Sequence, residues 1–493
     1  MKRLKKFQPV MIIALILNFL IACSSDQEEL FLEDQNTNTE EVDEYIAATI
    51  YYEEENGDKH AIVYTTEGDK KVFTNGKKVE ETKERAPKPV RLPDHVDNPK
   101  HSEIIEDESW TDEEAMDQTT PDAEEEEQAT TPPDTTEPDA GTVGSQDLTG
   151  LYNIDHWISE FDNAWNAEYS YYLPKADSGS PFDIYMLAYA IDANTTMFKV
   201  TGDRKYLDRA LEYVEAKIAN AQVSSSLPNS SYKDSYLGWC NTDKASWPED
   251  EVSLGEAHGF RMVSSLVRTL HDATDIRAEQ SYQQRYEDLL QFMEVHIWEK
   301  WESRGMANIY RSRTHMASHW ARMGMDLYYI TGNSKYQKVY QDFFYANSDS
   351  YVSIKPLIEA GSTDTHLLWK SHSSNPNFND ISHANAEVAL FFESREIGLN
   401  DFTETELNKL IRTFEDKMYK TAGPYPFYLD GSGSQDDNSF NEGWFRLGGH
   451  STSVQKKLQD YYDVRRNTTF NKTLQIAIMA RNYALLSNQP LKY

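Results

Sequence analysis

The sequence predicts an all-α fold: an (α/α) toroid or barrel of about five to seven helical hairpins over residues 150–493. Three observations predict it. That region is dense in Trp, Tyr, Phe and Leu at helical spacing and carries no strand series. A weak repeat runs through it: MFKVTGDRKYLDRALEYVE (197–215) matches DLYYITGNSKYQKVYQDFF (326–344). LHDATDIRAEQSYQQRYEDLLQFM (270–293) and ESREIGLNDFTETELNKLIRTF (393–414) are looser copies, offset by about 55–75 residues. Within each copy the two helices differ. The first, from about 181, 255, 314 and 383, is apolar nearly all round and belongs inside; the second has one charged face and belongs outside. Further helices are expected near 154–166, 453–463 and 468–487. A right-handed solenoid of the tetratricopeptide type is the structural alternative, although it keeps a shorter and more regular period.

The preceding segments read in order as follows. Residues 1–22 combine a basic start, MKRLKK, with the apolar run FQPVMIIALILNFLIA, the pattern of a secretory signal peptide. Its end, Leu20-Ile21-Ala22-Cys23, resembles the bacterial lipobox, which implies cleavage before Cys23 and acylation of that residue. Residues 23–43 form a polar leader, and its Ser24-Ser25-Asp26 start resembles the sorting signal of outer-membrane, surface-displayed lipoproteins. Residues 44–82 hold three β-rich runs separated by turn signals, a small meander. Residues 83–149 are rich in Pro, Thr, Asp and Glu, with no Lys or Arg after Lys100, and are expected to be a disordered linker.

Charge and cysteine content exclude several function classes. The net charge is −34, and residues 24–149 carry about 37 acidic against 10 basic side chains, so most of the acidity belongs to the tether. No basic stripe exists to neutralise phosphates, which excludes nucleic acid as a partner. Cys240 is the only cysteine besides Cys23, so no internal disulfide is expected and Cys240 reads as a buried free thiol.

Polar residues recur just before or at the inner-helix starts. They are SGSPFD (178–183), GEAHGFR (255–261), RSRTHMASHW (311–320), DISHAN (380–385) and GWFRLGGHS (443–451). Four of the five carry histidine, which places His258, His315, His319, His383 and His450 at equivalent repeat positions, converging on one mouth. A helix N-terminus disfavours imidazolium, so such histidines stay neutral and can take a proton or bind a substrate oxygen. Arg304, Arg311, Arg313 and Arg322 form a local cationic cluster suited to a carboxylate ligand. Tyr310 lies among them as a proton donor. Trp239, Trp247, Trp369 and Trp444, in loop-like stretches, are candidates for sugar-ring stacking, while Trp320 falls just inside a helix. Asp380 or Ser382 reads as the N-cap of the helix that DISHAN opens.

GEAHGFR, YRSRTHMASHW, DISHAN and GWFRLGG, set in this repeat behind a lipoprotein signal, resemble the (α/α)-toroid polysaccharide lyases that act on alginate, glucuronan and related uronates. The resemblance spans about residues 150–493 at the level of architecture. It implies metal-independent β-elimination on a 1,4-linked uronate polymer, with no cofactor. It further implies His258 or His319 as base, Tyr310 as acid, and Arg313 with Arg304 or Arg311 neutralising the substrate carboxylate. Glu256, Arg261, His315, His383, Asn385, His450, Trp239 and Trp444 would be substrate contacts. The expected partners are an anionic polysaccharide and, through the lipid anchor alone, the outer membrane; the protein is expected to be a monomer. Two alternatives remain. One is a toroid glycoside hydrolase or uronate epimerase using a carboxylate pair drawn from Glu256, Asp380, Glu387 and Glu442. The other is a non-catalytic surface glycan-binding lipoprotein.

Overall fold

The computed structural model describes the strands within residues 46–83 and, in the remainder, residues 147–240, 250–345, 351–399, 401–436, 439–465 and 472–493. The signal peptide, Cys23, the leader, nearly all of the acidic linker and Trp247 lie outside the described residues. The chain divides into two units, one of strands and one of helices. Among the described residues no helix is long and apolar enough to cross a membrane.

The strand unit contains β1 (Ile46–Glu53), β2 (Lys59–Thr65), β3 (Asp69–Thr74) and β4 (Lys77–Lys83), antiparallel and paired in chain order. The run KKVFTNGKKVEE therefore forms two strands rather than one. Its Asn75-Gly76 pair is a hairpin signal in the sequence, and Thr74 pairs with Lys77.

The helical unit starts with α1 (Ile154–Ala176), α2 (Pro181–Thr201) and α3 (Arg204–Ala219). A two-residue ladder of β5 (Gln222–Val223) and β6 (Leu237–Gly238) follows. Then come α4 (Ser253–Asp272), α5 (Gln280–Phe292), α6 (Thr314–Thr331), α7 (Ser334–Tyr345) and α8 (Ile354–Gly361). The unit ends with α9 (Ala384–Glu396), α10 (Glu404–Thr413), α11 (Glu442–Arg446), α12 (Thr452–Arg465) and α13 (Lys472–Leu486).

The repeated Thr-Gly-Asp/Asn triplet does the same work twice. Thr201 and Thr331 donate their hydroxyls to the carbonyls of Met197 and Leu327, four residues back. Gly202 and Gly332 then stop their helices in the left-handed region, at φ 71° and 70°. Asp203 and Asn333 accept from the backbone of Lys205 and Lys335, starting the next helix. Because the break takes only two or three residues, each outer helix must fold straight back along its inner partner: α3 on α2, and α7 on α6.

The apolar helices pack on one another in sequence. α2 lies against α4, α4 against α6, α6 against α9, α9 against α11 and α11 against α13, and α13 returns to α2. Two glycines allow close approach. A Cβ at Gly259 of α4 would lie 2.2 Å from the Ile184 side chain, and one at Gly443 of α11 would lie 2.2 Å from the Asn385 carbonyl oxygen.

The middle of this helix set is ionic. Arg261 pairs with Glu442 at 2.6 Å and Arg268 with Asp326 at 2.7 Å. Arg322 donates to Glu393 at 2.6 Å, while Arg446 bridges Asp192 at 3.0 Å and Glu393 at 3.1 Å. At the C-terminal ends of the helices, Lys199 and Arg481 share Glu396. Burying these ions is tolerated because each has a partner; removing one partner of such a pair costs about 3–5 kcal/mol.

Candidate functional site

The helices that pack in sequence also run in one direction, so the residues at their N-termini gather at one end. Four histidines meet there. His258, in the second turn of α4, lies 5.1 Å from His319 of α6, ring centre to ring centre, and perpendicular to it. His315, one turn before His319, lies 4.1 Å from His383, which immediately precedes α9. The pairs share one field: His258 and His315 each lower the proton affinity of His319. Burial first, then neighbouring arginines and imidazoles, hold His258, His315 and His319 well below the ordinary imidazole pKa. All three are neutral at physiological pH. Both ring nitrogens of His315 and Nδ1 of His319 are buried without a hydrogen-bond partner, an arrangement that favours a polar ligand.

His383 differs from the other three. Its side chain is 23% exposed, and its Nδ1 lies 2.5 Å from Oδ2 of Asp380. The other carboxylate oxygen of Asp380 accepts from the His383 backbone N–H at 2.9 Å. One carboxylate therefore caps the turn and orients the ring. With Nδ1–H donated to Asp380, Nε2 carries the lone pair of the neutral ring, the orienting logic of His–Asp pairs in hydrolases. The Asp380 carboxyl is held below its usual range; burial opposes this, and the imidazole with the backbone N–H groups outweighs it. The segment is fixed from behind: Asp380 bridges Tyr428, and the Ile381 N–H donates to the Phe427 carbonyl at 2.9 Å.

Arginines complete this end. Arg313 immediately precedes α6 and donates to the Ser371 hydroxyl at 3.3 Å. Arg313, Arg311 and Arg261 all bear on His315. Arg311 reaches the Ala307 carbonyl at 3.3 Å, and Arg261 places Nη2 3.3 Å from Nδ1 of His258. Tyr185 of α2 stacks on His258 at 3.6 Å and packs with Phe182 against Val252, Leu254 and Met316.

Other sequence candidates occupy different places. Glu256 and His258 are two residues apart on a helix and so face opposite ways. Glu256 turns outward to Lys300 at 2.6 Å and to the Trp301 indole at 2.8 Å. Arg304 pairs with Glu251 at 3.1 Å and donates to Ser224 in that same outer network. Tyr310 donates its hydroxyl to Asp342 at 2.6 Å and leans on Tyr351. Burial and that carboxylate raise its pKa, which makes it a poor proton donor. Asn385 is a latch: it donates to the Ser439 carbonyl and accepts from the N–H groups of Asn441 and Trp444, holding α11 to α9.

His450 does not join the other histidines. GWFRLGGHS is itself an inner helix, α11 continued by a 3-10 turn over Leu447–His450, rather than a loop before one. His450 thus falls at the C-terminal end, stacked on Phe392 at 4.8 Å. Trp239, Trp320, Trp369 and Trp444 are all core residues, each at most 1% exposed. Trp239 packs on Phe260 and Phe292, Trp320 on Trp298, Trp369 on Phe391, and Trp444 donates to the Ile381 carbonyl. The aromatic side chains near the histidine end that keep some exposure are Phe182, Tyr185, Phe427 and Tyr428.

Sequence reasoning missed Tyr185 and the pairing of Asp380 with His383. The first lies in an apolar stretch with no polar signal. The second was legible as the i,i+3 spacing in DISHAN, though a cap explained it equally well. Glu387 lies one turn after His383, fully buried, accepting at 2.9 Å from Asn379, with its second oxygen unpartnered. Burial raises its pKa to about 7, Thr314 opposing. Asp380 and Glu387, on neighbouring turns, are thus pushed in opposite directions. Among the described residues no group of three or more His, Cys, Asp or Glu side chains is placed to hold a metal ion. Comparison with protein-family models, curated proteins and solved structures finds no match to the chain.

Proposed function

We propose that the helical unit is an (α/α) toroid and that the chain is a polysaccharide lyase cleaving a 1,4-linked uronate polymer by β-elimination. The closed order of inner helices, with α13 returning to α2, supports a ring over an open solenoid. One observation carries the chemical reading: the Asp380–His383 couple stands at the N-terminal end beside His315 and the arginines around it.

Abstraction of the C5 proton places a second negative charge next to the sugar carboxylate. Arg313, with Arg311 behind it, neutralises that carboxylate and stabilises the enolate-like intermediate. Nε2 of His383, oriented by Asp380, takes the C5 proton. The electron pair forms the C4–C5 double bond as the C4–O4 bond breaks, and Tyr185, stacked on His258, protonates the departing O4. Neutral His315 and His319 bind substrate hydroxyls. His383 thus replaces His258 or His319 as the base, because it is the least buried of the four and has a carboxylate orienting its ring. The lipobox at Cys23 and the acidic 83–149 segment support a lipid-anchored location at the outer-membrane surface.

A second reading rests on the opposed carboxyls. Glu387, protonated near neutrality, and ionised Asp380 would be the acid and base of a glycoside hydrolase. The full chain incubated with alginate, glucuronan, ulvan, pectate and glycosaminoglycans separates the two. A lyase creates unsaturated uronyl ends that absorb in the near ultraviolet; a hydrolase creates new reducing ends without that absorbance. Reducing ends alone, or no cleavage of any of these polymers, would refute the lyase.

A further inference from the structure

The inner helices also bring their C-terminal ends together, away from the histidines. A cavity of about 590 Å³ opens there. Four cations line it, Lys199, Arg268, Arg395 and Arg481, against two carboxylates, Asp272 and Glu396. Its remaining wall includes aromatic and aliphatic side chains, Tyr329, Phe392 and Leu485 among them.

The charge here is unbalanced. With Lys199 protonated, six cations in the ionic chain described above face five carboxylates, and the surplus falls at this end, where Lys199 and Arg481 share Glu396. Arg268 is taken up by Asp326 and Glu393, and Arg395 by Glu404 and the Phe402 carbonyl. Asp272 is exposed and accepts from the Tyr329 hydroxyl. Arg481 is 2% exposed, yet its Nη1 is buried without a hydrogen-bond partner. A buried guanidinium nitrogen without a hydrogen-bond partner is costly, and Arg481 also lines the cavity. Helix C-termini carry partial negative charge that offsets some of the surplus.

We propose that this cavity is a binding site for a small oxyanion of the carboxylate or phosphate class, held by Arg481 and Lys199 with Arg395 at the rim. The titration behaviour of the lining agrees. Burial first, then Arg268 and Arg481, lower Lys199 to about 7. Burial lowers Arg481 to about 10, Arg268 adding to it and Glu393 and Asp192 opposing. An anion in the cavity would relieve both. The aromatic wall suits a ring-bearing anion such as an acidic sugar, and inorganic phosphate is the simpler occupant.

Calorimetric titration of the full chain with sodium phosphate and with sodium glucuronate, at matched ionic strength, tests the site. Sodium chloride and glucose are the controls. Saturable binding of either anion, weakened at least tenfold in Arg481→Gln, supports the proposal; the anion that binds names the class. Since Arg481→Gln removes a partner of Glu396 and can disturb folding, Arg395→Gln, at the more exposed rim, is measured alongside, with unfolding curves for both. Arg395→Gln is expected to weaken binding several-fold at unchanged melting temperature. Absence of binding beyond the chloride control, equal binding of glucose, or full binding retained in both variants would overturn it.

Discussion

Glu387→Gln is the most informative single substitution, because structure fixes the sign of its effect on stability and the two functional readings disagree about activity. The Glu387 carboxyl is fully buried and its pKa is raised from 4.5 to about 7. A carboxyl whose folded pKa lies above its unfolded value favours folding only while protonated. Below about pH 4.5 it is neutral in both states and contributes no difference. Between about 4.5 and 7 the unfolded chain ionises and the folded one resists, so stability is progressively lost; above 7 the loss is complete. A shift of this size corresponds to about 3 kcal/mol at 1.36 kcal/mol per unit. Glutamine mimics the protonated form. Its carbonyl keeps the bond from Asn379, and its amide replaces the carboxyl oxygen that the Thr314 hydroxyl approaches. Urea unfolding of the full chain at pH 8 should therefore find the variant more stable by about 2–3 kcal/mol, with the difference vanishing near pH 4.5. Equal stability at pH 8, or a variant less stable there, would refute the assignment of a buried, proton-holding carboxyl. In activity, a lyase with His383 as base keeps most of its rate in Glu387→Gln, whereas a hydrolase with Glu387 as acid loses it by about 10²–10⁴-fold.

Three further outcomes are expected. Asp380→Asn keeps a cap oxygen for the His383 backbone but presents its amide to Nδ1, shifting the ring proton to Nε2. Elimination rate should fall by about 10²–10⁴-fold, melting temperature changing little; a rate within threefold of the parent would dismiss the couple as a cap alone. His258, His315 and His319 have folded pKa values well below 6.5, so each contributes stability that is lost as pH falls beneath 6.5. Each adds a slope of about 1.4 kcal/mol per pH unit there, and His315→Gln should flatten the measured pH dependence by one such step; an unchanged slope would show that His315 titrates normally. Gly443→Ala would set a Cβ 2.2 Å from the Asn385 carbonyl, against backbone that cannot turn aside. It should cost about 1–3 kcal/mol in denaturant unfolding, and a neutral result would mean that α11 and α9 are not in such close contact.

Much of this was legible in the chain. The Thr-Gly-Asp/Asn triplets dictate their own helix breaks, because a left-handed glycine followed by a capping Asp or Asn works through neighbours one to four residues away. Helical periodicity separated inner from outer helices for the same reason: a helix buried on all sides has no charged face to spare. The gathering of histidines could be inferred from their recurrence at or near helix starts. His450 broke the rule because GWFRLGGHS supplies apolar and glycine residues both to a loop reading and to the short helix it forms, and local pattern does not choose between them.

Side-chain direction and charge partnership were not legible. Glu256 and His258 share a motif but point opposite ways, and only Lys300 and Trp301, far along the chain, decide that Glu256 is structural. Trp239, Trp369 and Trp444, read as sugar platforms, close the core instead, since sequence shows a ring's chemistry but not which neighbours cover it. By itself the sequence determined the mostly helical character, the breaks at Gly202 and Gly332 and which long helices are buried nearly all round, all properties of contacts a few residues apart. Tertiary structure alone decided that His383 rather than His258 keeps a partly exposed ring oriented by a carboxylate, that burial raises the pKa of Glu387, and that cations gather at the opposite end. Each of these depends on burial and on electrostatic partners contributed by distant helices.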